Sequence, residues 1–465
     1  MLTGEQYLAS LDDGRATFFE GRRVDDLLME PAFATPAYAI ARGYDRWYSA
    51  EPGAVNPLVL APRSAAELRE RADVIGAVDL ALNVTYQSLM TLLTASGRLR
   101  GADPVELARM AAYVDDAMAR DIRIAECITD AKGDRSVPPG KQDDPDAYVR
   151  VVHREAAGVV IRGAKLHISA ASLCHDLLVM PTKAMKPGEG DYAITCAVAV
   201  NSPGVRIVNT TYHPKGDDVR HYPVSSRLSM PDGFVVFDDV FVPIERVFLD
   251  GDTHNASVFA HSLGLWERLG GITAMVRQAD ELVGLAQLIA EANGLAGISH
   301  IREKIDEMAI HATLLRAGME AALVHAATTP DGFFYPDELF TNAAKYQGAA
   351  QFGRMVQHLH DIAGGAVLTA PTIADLENPE TGRFVEKYLN GSTAVAAEDR
   401  LRLFHAIRDL TADAYGGWHL VTNLQSGGGL YAQRLVTRRH YDMDRARALA
   451  REAAGLADPA GRDEP

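Results

Sequence analysis

The sequence predicts an α+β fold in three successive parts: an N-terminal helical domain, a middle antiparallel β-barrel and a C-terminal helical bundle. The first observation is the apolar spacing, which is helical from about residue 57 to 125, alternating from about 147 to 250, and helical again from about 257 to 455. The second is the length of 465 residues, which is enough for a core of several layers. We therefore expect domains at residues 1–145, 146–256 and 257–456, followed by a flexible tail at 457–465 without large apolar side chains.

The N-terminal part contains two segments with helical spacing. The first follows Ser64-Ala-Ala-Glu67, which matches the capping box at the start of a helix. Apolar residues then recur every three or four positions between Leu68 and Val78. A second helix is predicted from Pro104 to Ile122, with proline at the favoured first position.

The middle part has the pattern of short strands. Apolar and polar residues alternate on both sides of Glu155-Ala-Ala-Gly158, as in a β-hairpin. Glycine and proline then interrupt the apolar runs about every ten residues, a spacing typical of an antiparallel sheet or small barrel.

The C-terminal part contains long runs rich in alanine and leucine. Helices are predicted at 258–295, 300–327, 336–363 and 395–414, with another after Leu430. Helices of this length cannot bury their apolar faces alone, so we expect them to pack as a bundle.

Charge and composition exclude several classes of protein. With 46 Lys and Arg against 62 Asp and Glu, the net charge is −16, which disfavours non-specific nucleic-acid binding. The three cysteines have neither disulfide-framework nor zinc-site spacing, and no apolar run approaches the roughly 18 residues that span a bilayer. The N-terminus lacks the apolar core of a signal peptide. We expect a cytoplasmic protein without a metal site, and without nucleic-acid or membrane partners.

Two segments could bind an anionic or polar ligand. Residues 127–136 combine two hydroxyl groups, two carboxylates, a lysine, an arginine and a glycine, and could bind the polar edge and the diphosphate of a flavin. Taken alone, such a loop is more often a solvated turn. Gly427-Gly428-Gly429 precedes a predicted helix and could meet an anion, or could simply be a flexible entry to that helix.

Several motifs together identify a family resemblance. ITDAKGDRS, VVIRGAKLHIS, YPVSSRLSMPDGFVVFDDVFVPIERVF and DIAGGAVLTAPTIADL resemble, in order and spacing, the family that joins 4-hydroxyphenylacetate 3-hydroxylase large components with 4-hydroxybutyryl-CoA dehydratase. The opening MLTGEQYLASLDDGRATFFEGRRVDDLLMEPAF and the segments YGGWH and QSG near the end are also similar to that family. The resemblance implies an FAD enzyme with an acyl-CoA dehydrogenase-like fold, assembled as a homotetramer from two dimers.

The same resemblance implies a set of flavin-binding residues. Lys132, Gly133, Asp134 and Arg135 fall on the family's flavin loop, and Ser169 falls where the family has a threonine that touches the flavin. Further positions match parts that reach FAD across subunits or from the C-terminal region: Asn293, Gly364, Gly365, Gln425, Ser426 and Gly427. Paired glycines suit this role because backbone can approach a diphosphate without a Cβ clash.

The chain departs from the iron–sulfur branch of the family. That branch has two cysteines in the first helical domain, where this chain reads Asn83–Leu93 without a thiol. In that branch another cysteine follows a glycine pair, whereas in this chain Ile272 follows Gly270-Gly271. The histidine of that branch corresponds to a position near Leu265 or Trp266 of this chain. Since these side chains cannot ligate iron, an iron–sulfur cluster is excluded.

The chain also departs from the hydroxylase branch, in its substrate pocket. Gln87 and Thr91 stand where that branch has an arginine and a tyrosine, and Glu126 stands where it has a histidine. Glu126 could accept a phenol's proton if burial raises its pKa, could contact an amine or hydroxyl, or could be an exposed carboxylate at a helix end. His167 and Tyr86 are further candidates for a catalytic role, and Ser225 and Ser226 are candidates for substrate binding.

These observations lead to three functional hypotheses. The first is a two-component monooxygenase that takes FADH2 from a separate, transiently bound flavin reductase and uses O2 to hydroxylate an aromatic or amino-acid-derived small molecule. The alternative is a cluster-free flavin enzyme that acts on an acyl-CoA as isomerase, dehydratase or dehydrogenase. The third is a flavin-binding scaffold without catalysis.

Overall fold

The computed structural model describes residues 1–390 and 395–456, so the tail predicted at 457–465 lies outside the described residues. The N-terminal helices are α1 (Gly4–Ser10), α2 (Pro31–Trp47), α3 (Ala65–Ile75), α4 (Leu80–Ser96) and α5 (Pro104–Ala119). The cap predicted for α3 is confirmed, because the Ser64 side chain accepts a hydrogen bond from the backbone N–H of Glu67. The Glu67 carboxylate accepts in return from the N–H of Arg63, one residue before the capping-box position.

Among the described residues, ten strands form two sheets. They are β1 (Thr17–Phe19), β2 (Arg22–Val24), β3 (Ile124–Cys127), β4 (Arg150–Glu155), β5 (Gly158–Ser169), β6 (Asp176–Val179), β7 (Ile194–Ala199), β8 (Val205–Thr210), β9 (Asp232–Pro243) and β10 (Val247–Asp250). The larger sheet has the order β2-β1-β8-β9-β5-β4 and the smaller one β10-β7-β6-β3. The predicted hairpin is confirmed, since β4 and β5 pair antiparallel around Glu155 and Gly158.

The antiparallel barrel is not confirmed. Among the described residues the outer strands β2 and β4 do not pair with each other, so the larger sheet stays open. Two pairs, β1 with β8 and β3 with β6, are parallel rather than antiparallel. The physical reason is that β1, β2 and β3 come from the N-terminal part of the chain and add to the sheets at their edges.

Among the described residues, the C-terminal part has the five predicted helices and five that were not predicted. They are α7 (Ala256–Ala292), α8 (Ser299–Val324), α9 (Glu338–Ala363), α10 (Ala366–Thr369), α11 (Ile373–Glu377), α12 (Gly382–Leu389), α13 (Ala397–Thr411), α14 (Ala414–Gln425), α15 (Gly429–His440) and α16 (Met443–Ala453). A four-residue helix, α6 (Ser225–Leu228), precedes β9, and a two-stranded ribbon of β11 (Ala327–Thr328) and β12 (Phe334–Tyr335) joins α8 to α9. Within the described part of the chain, every helix is too short or too polar to cross a bilayer.

The packing of α4, β3 and α7 positions the candidate site. One apolar core includes Leu89 of α4, Ile124 of β3 and Phe259 of α7, and continues into α8 and α9. A second core lies between the sheets and α1 and α2, and a third lies among α7, α8, α9 and α13. Helix α7 therefore runs from the sheet region into the bundle. The polar side chains on its buried faces lie between the sheets and the bundle.

Candidate active site

Glu126 on β3 faces helix α4. The backbone N–H of Ile124 donates to Oγ1 of Thr85 at 2.9 Å, and Oγ of Ser88 donates to Oε1 of Glu126 at 3.4 Å. Both contacts come from one side of α4, because positions three apart on a helix share a face. Burial raises the pKa of Glu126 well above its usual range, and the nearby Glu267 charge raises it further, against the Ser88 hydrogen bond. Glu126 is thus an enclosed strand residue, which contradicts its interpretation as an exposed carboxylate at a helix end.

Glu267 on α7 is the second carboxylate of this site. Burial raises its pKa, while a hydrogen bond from the backbone N–H of Gly427 and the charges of Lys345 and Arg268 lower it. The Arg268 Nε donates to the carbonyl of Gly427 at 2.8 Å. Gly427 has φ +72°, and a Cβ there would come within 2.8 Å of Cγ of Arg268. Only glycine therefore fits comfortably where the α14–α15 connection meets α7.

Lys345 on α9 completes this charged group. Its side chain is fully buried, and Nζ donates to the carbonyl of Asn423 at 2.7 Å. Burial lowers the pKa of Lys345 to about 8, against the Glu267 charge that raises it.

Tyr86 lies on a different side of α4 from Ser88, since residues two apart on a helix do not face each other. It lines a small cavity together with Arg71, Gln87 and Trp266, and its hydroxyl has no hydrogen-bond partner among the described residues. The structure does not bring Tyr86 together with Glu126.

Gln87 and Thr91, the predicted substrate-binding pair, are both buried on α4. The Gln87 amide packs against Gly270 of α7, where a side chain would collide with it. The Thr91 hydroxyl donates to the carbonyl of Gln87 at 2.7 Å, so it is used within the helix. The pair therefore presents no charged group to the site.

The predicted flavin loop has a left-handed backbone. Lys132 has φ +73° and Gly133 has φ +47°. Gln142 holds the turn: its Nε2 donates to the carbonyl of Asp134 at 2.7 Å, and its Oε1 accepts from the Asp134 N–H at 2.9 Å. Arg135 is exposed and makes no side-chain hydrogen bond or ion pair with the described residues. The loop thus presents a guanidinium and turned backbone to the surface.

A buried ion pair joins the two motifs ITDAKGDRS and GAKLHIS. Nζ of Lys165 lies 2.8 Å from Oδ1 of Asp130, with the side chains 1% and 2% exposed. The Lys165 ammonium also donates to the carbonyls of Ile128 at 2.9 Å and Met180 at 2.8 Å. The base of the flavin loop is therefore attached to β5.

Ser169 and His167 lie at the end of β5. His167 is exposed and has φ +62°, within the irregularity in pairing with β9 between Lys165 and Ile168. The Ser169 hydroxyl donates to Oδ1 of Asp232 at 2.6 Å. A hydroxyl whose proton is used in this way keeps its lone pairs for a second partner.

Asp232 links this sheet end to the bundle. Its Oδ2 accepts from Nε1 of Trp418 on α14 at 3.0 Å and from the hydroxyl of Tyr212 at 3.1 Å. The rings of Tyr212 and Trp418 lie 5.6 Å apart, centroid to centroid. The motifs MPDG and YGGWH thus meet beside Ser169.

The remaining predicted flavin residues lie at helix ends. Oδ1 of Asn293, after α7, accepts two hydrogen bonds from Arg400 at 2.7 and 2.9 Å. Gly364 and Gly365 are exposed between α9 and α10, with open space at both Cβ positions. Gln425 and Ser426 end α14, and Gln425 is exposed.

Ser225 and Ser226 begin the short helix α6. The backbone N–H groups of Val224 and Ser225 donate to Oδ2 of Asp409 on α13, at 2.8 and 2.9 Å. Both serine hydroxyls are buried without a partner among the described residues. The segment predicted to contact substrate is thus held against the bundle through its backbone.

Sequence reasoning did not select Glu267, Arg268, Lys345 or Asp232. A signal was available for three of them: Glu267-Arg268 interrupts the long apolar run of α7, and Lys345 stands among small residues of α9. Charged residues in such runs are buried with partners or serve a function. Within residues 1–390 and 395–456, no three His, Cys, Asp or Glu side chains are placed to hold a metal ion.

Comparison with known proteins covers nearly the whole chain. The family profile described as "4-hydroxyphenylacetate 3-hydroxylase N terminal" matches residues 3–249, and the profile described as "4-hydroxyphenylacetate 3-hydroxylase C terminal" matches residues 256–455.

Individual relatives belong to two kinds of enzyme. The chain is 26% identical to the 4-hydroxyphenylacetate 3-monooxygenase oxygenase component of Thermus thermophilus, over 89% of each chain. It is 25% identical to the 4-hydroxybutyryl-CoA dehydratase/vinylacetyl-CoA-Δ-isomerase of Clostridium aminobutyricum, over 98% of this chain and 100% of that one. A solved oxygenase component of 4-hydroxyphenylacetate 3-monooxygenase, complexed with FAD and 4-hydroxyphenylacetate, shares the fold, with a TM-score of 0.86 at 24% identity over 98% of this chain and 99% of that one.

Proposed function

The chain belongs to the 4-hydroxyphenylacetate 3-hydroxylase family, as its motifs predicted, and on that premise we propose that it is a flavin-dependent monooxygenase. The observation that carries the proposal is Glu126, an enclosed carboxyl group at the position where the family resemblance predicts the residue that handles a substrate proton. An enclosed acid–base group beside a flavin is what hydroxylation of a phenol requires.

FAD is the proposed cofactor, and the described residues fit it. The left-handed turn at Lys132 and Gly133, the exposed Arg135 and the open glycine pair at Gly364 and Gly365 suit a diphosphate and a polar ring edge. Ser169, with its proton given to Asp232, would accept a hydrogen bond from an N–H of the flavin ring. Reduced FAD supplies two electrons and activates O2, so that one oxygen atom enters the substrate and the other leaves as water.

The protein's own side chains then handle the substrate. Ionised Glu126 would accept the phenolic proton and thereby make the ring a better nucleophile, while the apolar core around β3 and α7 excludes water. Gln87 and Thr91 carry no charge for a substrate carboxylate. We therefore propose an aromatic or amino-acid-derived substrate other than a simple arylacetate.

We further propose that a separate reductase supplies FADH2, that the protein assembles as a homotetramer, and that its domains have the acyl-CoA dehydrogenase-like arrangement. The Thermus relative is an oxygenase component, which supports the two-component arrangement. The full-length match to the Clostridium dehydratase supports an alternative function, that of a cluster-free flavin enzyme that acts on an acyl-CoA.

An oxygen-isotope experiment tests the function. Protein loaded with chemically reduced FAD is mixed with ¹⁸O2 and a set of phenols that includes 4-hydroxyphenylacetate, tyrosine and tyramine. One ¹⁸O atom per molecule of product is expected for at least one phenol. Reoxidation that yields only peroxide, together with anaerobic turnover of a crotonyl-type thioester, would instead favour the acyl-CoA enzyme.

The double substitution Arg135→Ala and Ser169→Ala should weaken FAD binding. Each change removes a polar partner that contributes about 1–3 kcal/mol, so the dissociation constant should rise at least about tenfold. The constant is measured by calorimetry on protein whose circular dichroism matches the parent. Arg206→Ala, on the exposed arginine paired with Asp238, is the matched control and should bind FAD normally. An unchanged constant in the double variant would remove Arg135 and Ser169 from the flavin site.

A further inference from the structure

A small cavity lies where helices α3, α4 and α7 meet. Its lining includes Arg71 from α3, Asn83 and Tyr86 from α4, and Trp266 and Gly270 from α7. It leaves a space of about 10 Å³ for the centre of a water-sized molecule, which is about what one water molecule requires. The cavity is therefore far too small for a flavin or an aromatic ring, and any occupant must be about the size of water.

Three polar atoms of the lining residues have no hydrogen-bond partner among the described residues. They are Nε of Arg71, Oδ1 of Asn83 and the hydroxyl oxygen of Tyr86, and all three are shielded from bulk solvent. An unpaired polar group inside a protein costs free energy, so native proteins pair such groups with protein atoms or with ordered water. Three such atoms around one cavity indicate that they share a partner.

The side chains approach the cavity from all three helices. Oδ1 of Asn83 lies 3.3 Å from the position that a Cβ would take on Gly270, and Nε2 of Gln87 lies closer still to that position. The guanidinium carbon of Arg71 is 5.9 Å from the centroid of the Tyr86 ring. That ring packs edge-to-face on Trp266, with centroids 5.6 Å apart. The polar groups of α3 and α4 therefore surround a space that α7 closes.

The unpaired atoms determine the charge of the occupant. Nε–H of Arg71 can only donate a hydrogen bond, Oδ1 of Asn83 can only accept one, and the Tyr86 hydroxyl can do either. Burial raises the pKa of Tyr86, against the Arg71 charge that lowers it, so this hydroxyl keeps its proton near neutral pH. The Asn83 oxygen repels an anion and the Arg71 guanidinium repels a cation. The occupant is therefore a neutral molecule that both donates and accepts.

We propose that this cavity is a binding site for one water molecule that joins α3 to α4 beneath α7. The water accepts a hydrogen bond from Nε–H of Arg71, donates one to Oδ1 of Asn83 and forms a third with the Tyr86 hydroxyl. Three hydrogen bonds are typical of a buried water. The site belongs to the flavin-free protein and does not depend on the proposed function.

A crystal structure of the full-length, flavin-free protein, grown in sodium bromide, tests the identity of the occupant. One density peak is expected within about 2.7–3.2 Å of all three atoms, without the anomalous signal of bromide. A cavity without density would overturn the proposal. A peak with the anomalous signal would also overturn it, because the occupant would then be a halide.

The substitution Tyr86→Phe tests the site in solution through the sign of a stability change. If the hydroxyl is bound to water, its loss should lower the thermal midpoint by about 1–3 °C, the effect of one hydrogen bond in a large protein. If the cavity is dry, the change removes an unpaired buried hydroxyl, and the variant should be as stable as the parent or more stable. A midpoint that is unchanged or raised, at equal protein concentration, would overturn the proposal.

Tyr7→Phe is the matched control for this substitution. The Tyr7 side chain is fully buried, and its hydroxyl donates directly to the carbonyl of Leu173 at 2.9 Å. Its loss should lower the midpoint, so the two variants should change stability in the same direction. Opposite signs would show that Tyr86, unlike Tyr7, has no partner. Neither measurement involves flavin, so the result is independent of whether the protein incorporates ¹⁸O into a phenol.

Discussion

Replacing Glu126 by glutamine should reduce product formation about 10²–10⁴-fold, the usual loss when a general acid or base is removed. The amide keeps the shape of the side chain, so flavin binding and folding should be retained. The unassisted phenol would react slowly, and reduced flavin should lose its electrons to O2 as free peroxide. The measurement is therefore the ratio of hydroxylated product to peroxide, which should fall as peroxide rises. Equal coupling in variant and parent would shift the catalytic role to His167 or Tyr86.

The same substitution has a second signature in stability. Burial raises the pKa of Glu126 above its unfolded value, so the folded state prefers the protonated form. The resulting stabilisation is complete below the unfolded pKa and is lost as pH rises through the folded pKa. Glutamine does not ionise, so the stability of Glu126→Gln relative to the parent should increase with pH. Thermal midpoints measured across that range give the sign, and a difference independent of pH would mean that Glu126 is not buried in its ionised form.

The sequence predicted the local features of the fold well. Helices α7 and α9 and the hairpin around Glu155 and Gly158 follow from periodicity and turn residues that lie within one segment. The open sheets did not follow, because the parallel pairing of Phe18 with Val208 joins residues far apart in the chain. Spacing within a segment carries no information about which distant strand will pair with it.

The candidate site shows the same contrast between residues that a local motif identifies and contacts between distant segments. The family resemblance identified Glu126 and Thr91, but it did not indicate which side chains meet them in space. Glu267 follows Trp266, which lies near the position of the histidine ligand in the iron–sulfur branch. Its effect on the pKa of Glu126 depends on how α7 packs with β3 and α9. Asn293 was predicted to reach FAD, and nothing in the sequence indicated that Arg400 would bind its side-chain oxygen, a contact between residues 107 positions apart. Such contacts are properties of the packed chain rather than of any motif.

Replacing Asp130 by asparagine should destabilise the protein by about 3–5 kcal/mol, the cost of leaving a buried charge without its partner. The Lys165 ammonium has its three donors directed at Asp130, Ile128 and Met180, and it is 1% exposed, so water cannot replace the lost carboxylate. The amide side chain would keep the shape of the carboxylate but not its charge. Urea denaturation should show the loss, and FAD affinity should fall too, because Asp130 attaches the flavin loop to β5.

A double-mutant cycle and a surface control separate this charge effect from general disturbance. Asp130→Asn combined with Lys165→Met removes the charge as well as its partner, so the double variant should be more stable than Asp130→Asn alone. Asp239→Asn breaks the exposed ion pair with Arg162 on the same sheet, whose side chains are 52% and 39% exposed, and should cost at most about 1 kcal/mol. If Asp130→Asn costs no more than Asp239→Asn, Lys165 does not depend on Asp130 for its charge. The flavin loop would then be held to β5 by backbone contacts such as the hydrogen bond from Leu166 N–H to the Thr129 carbonyl at 2.7 Å.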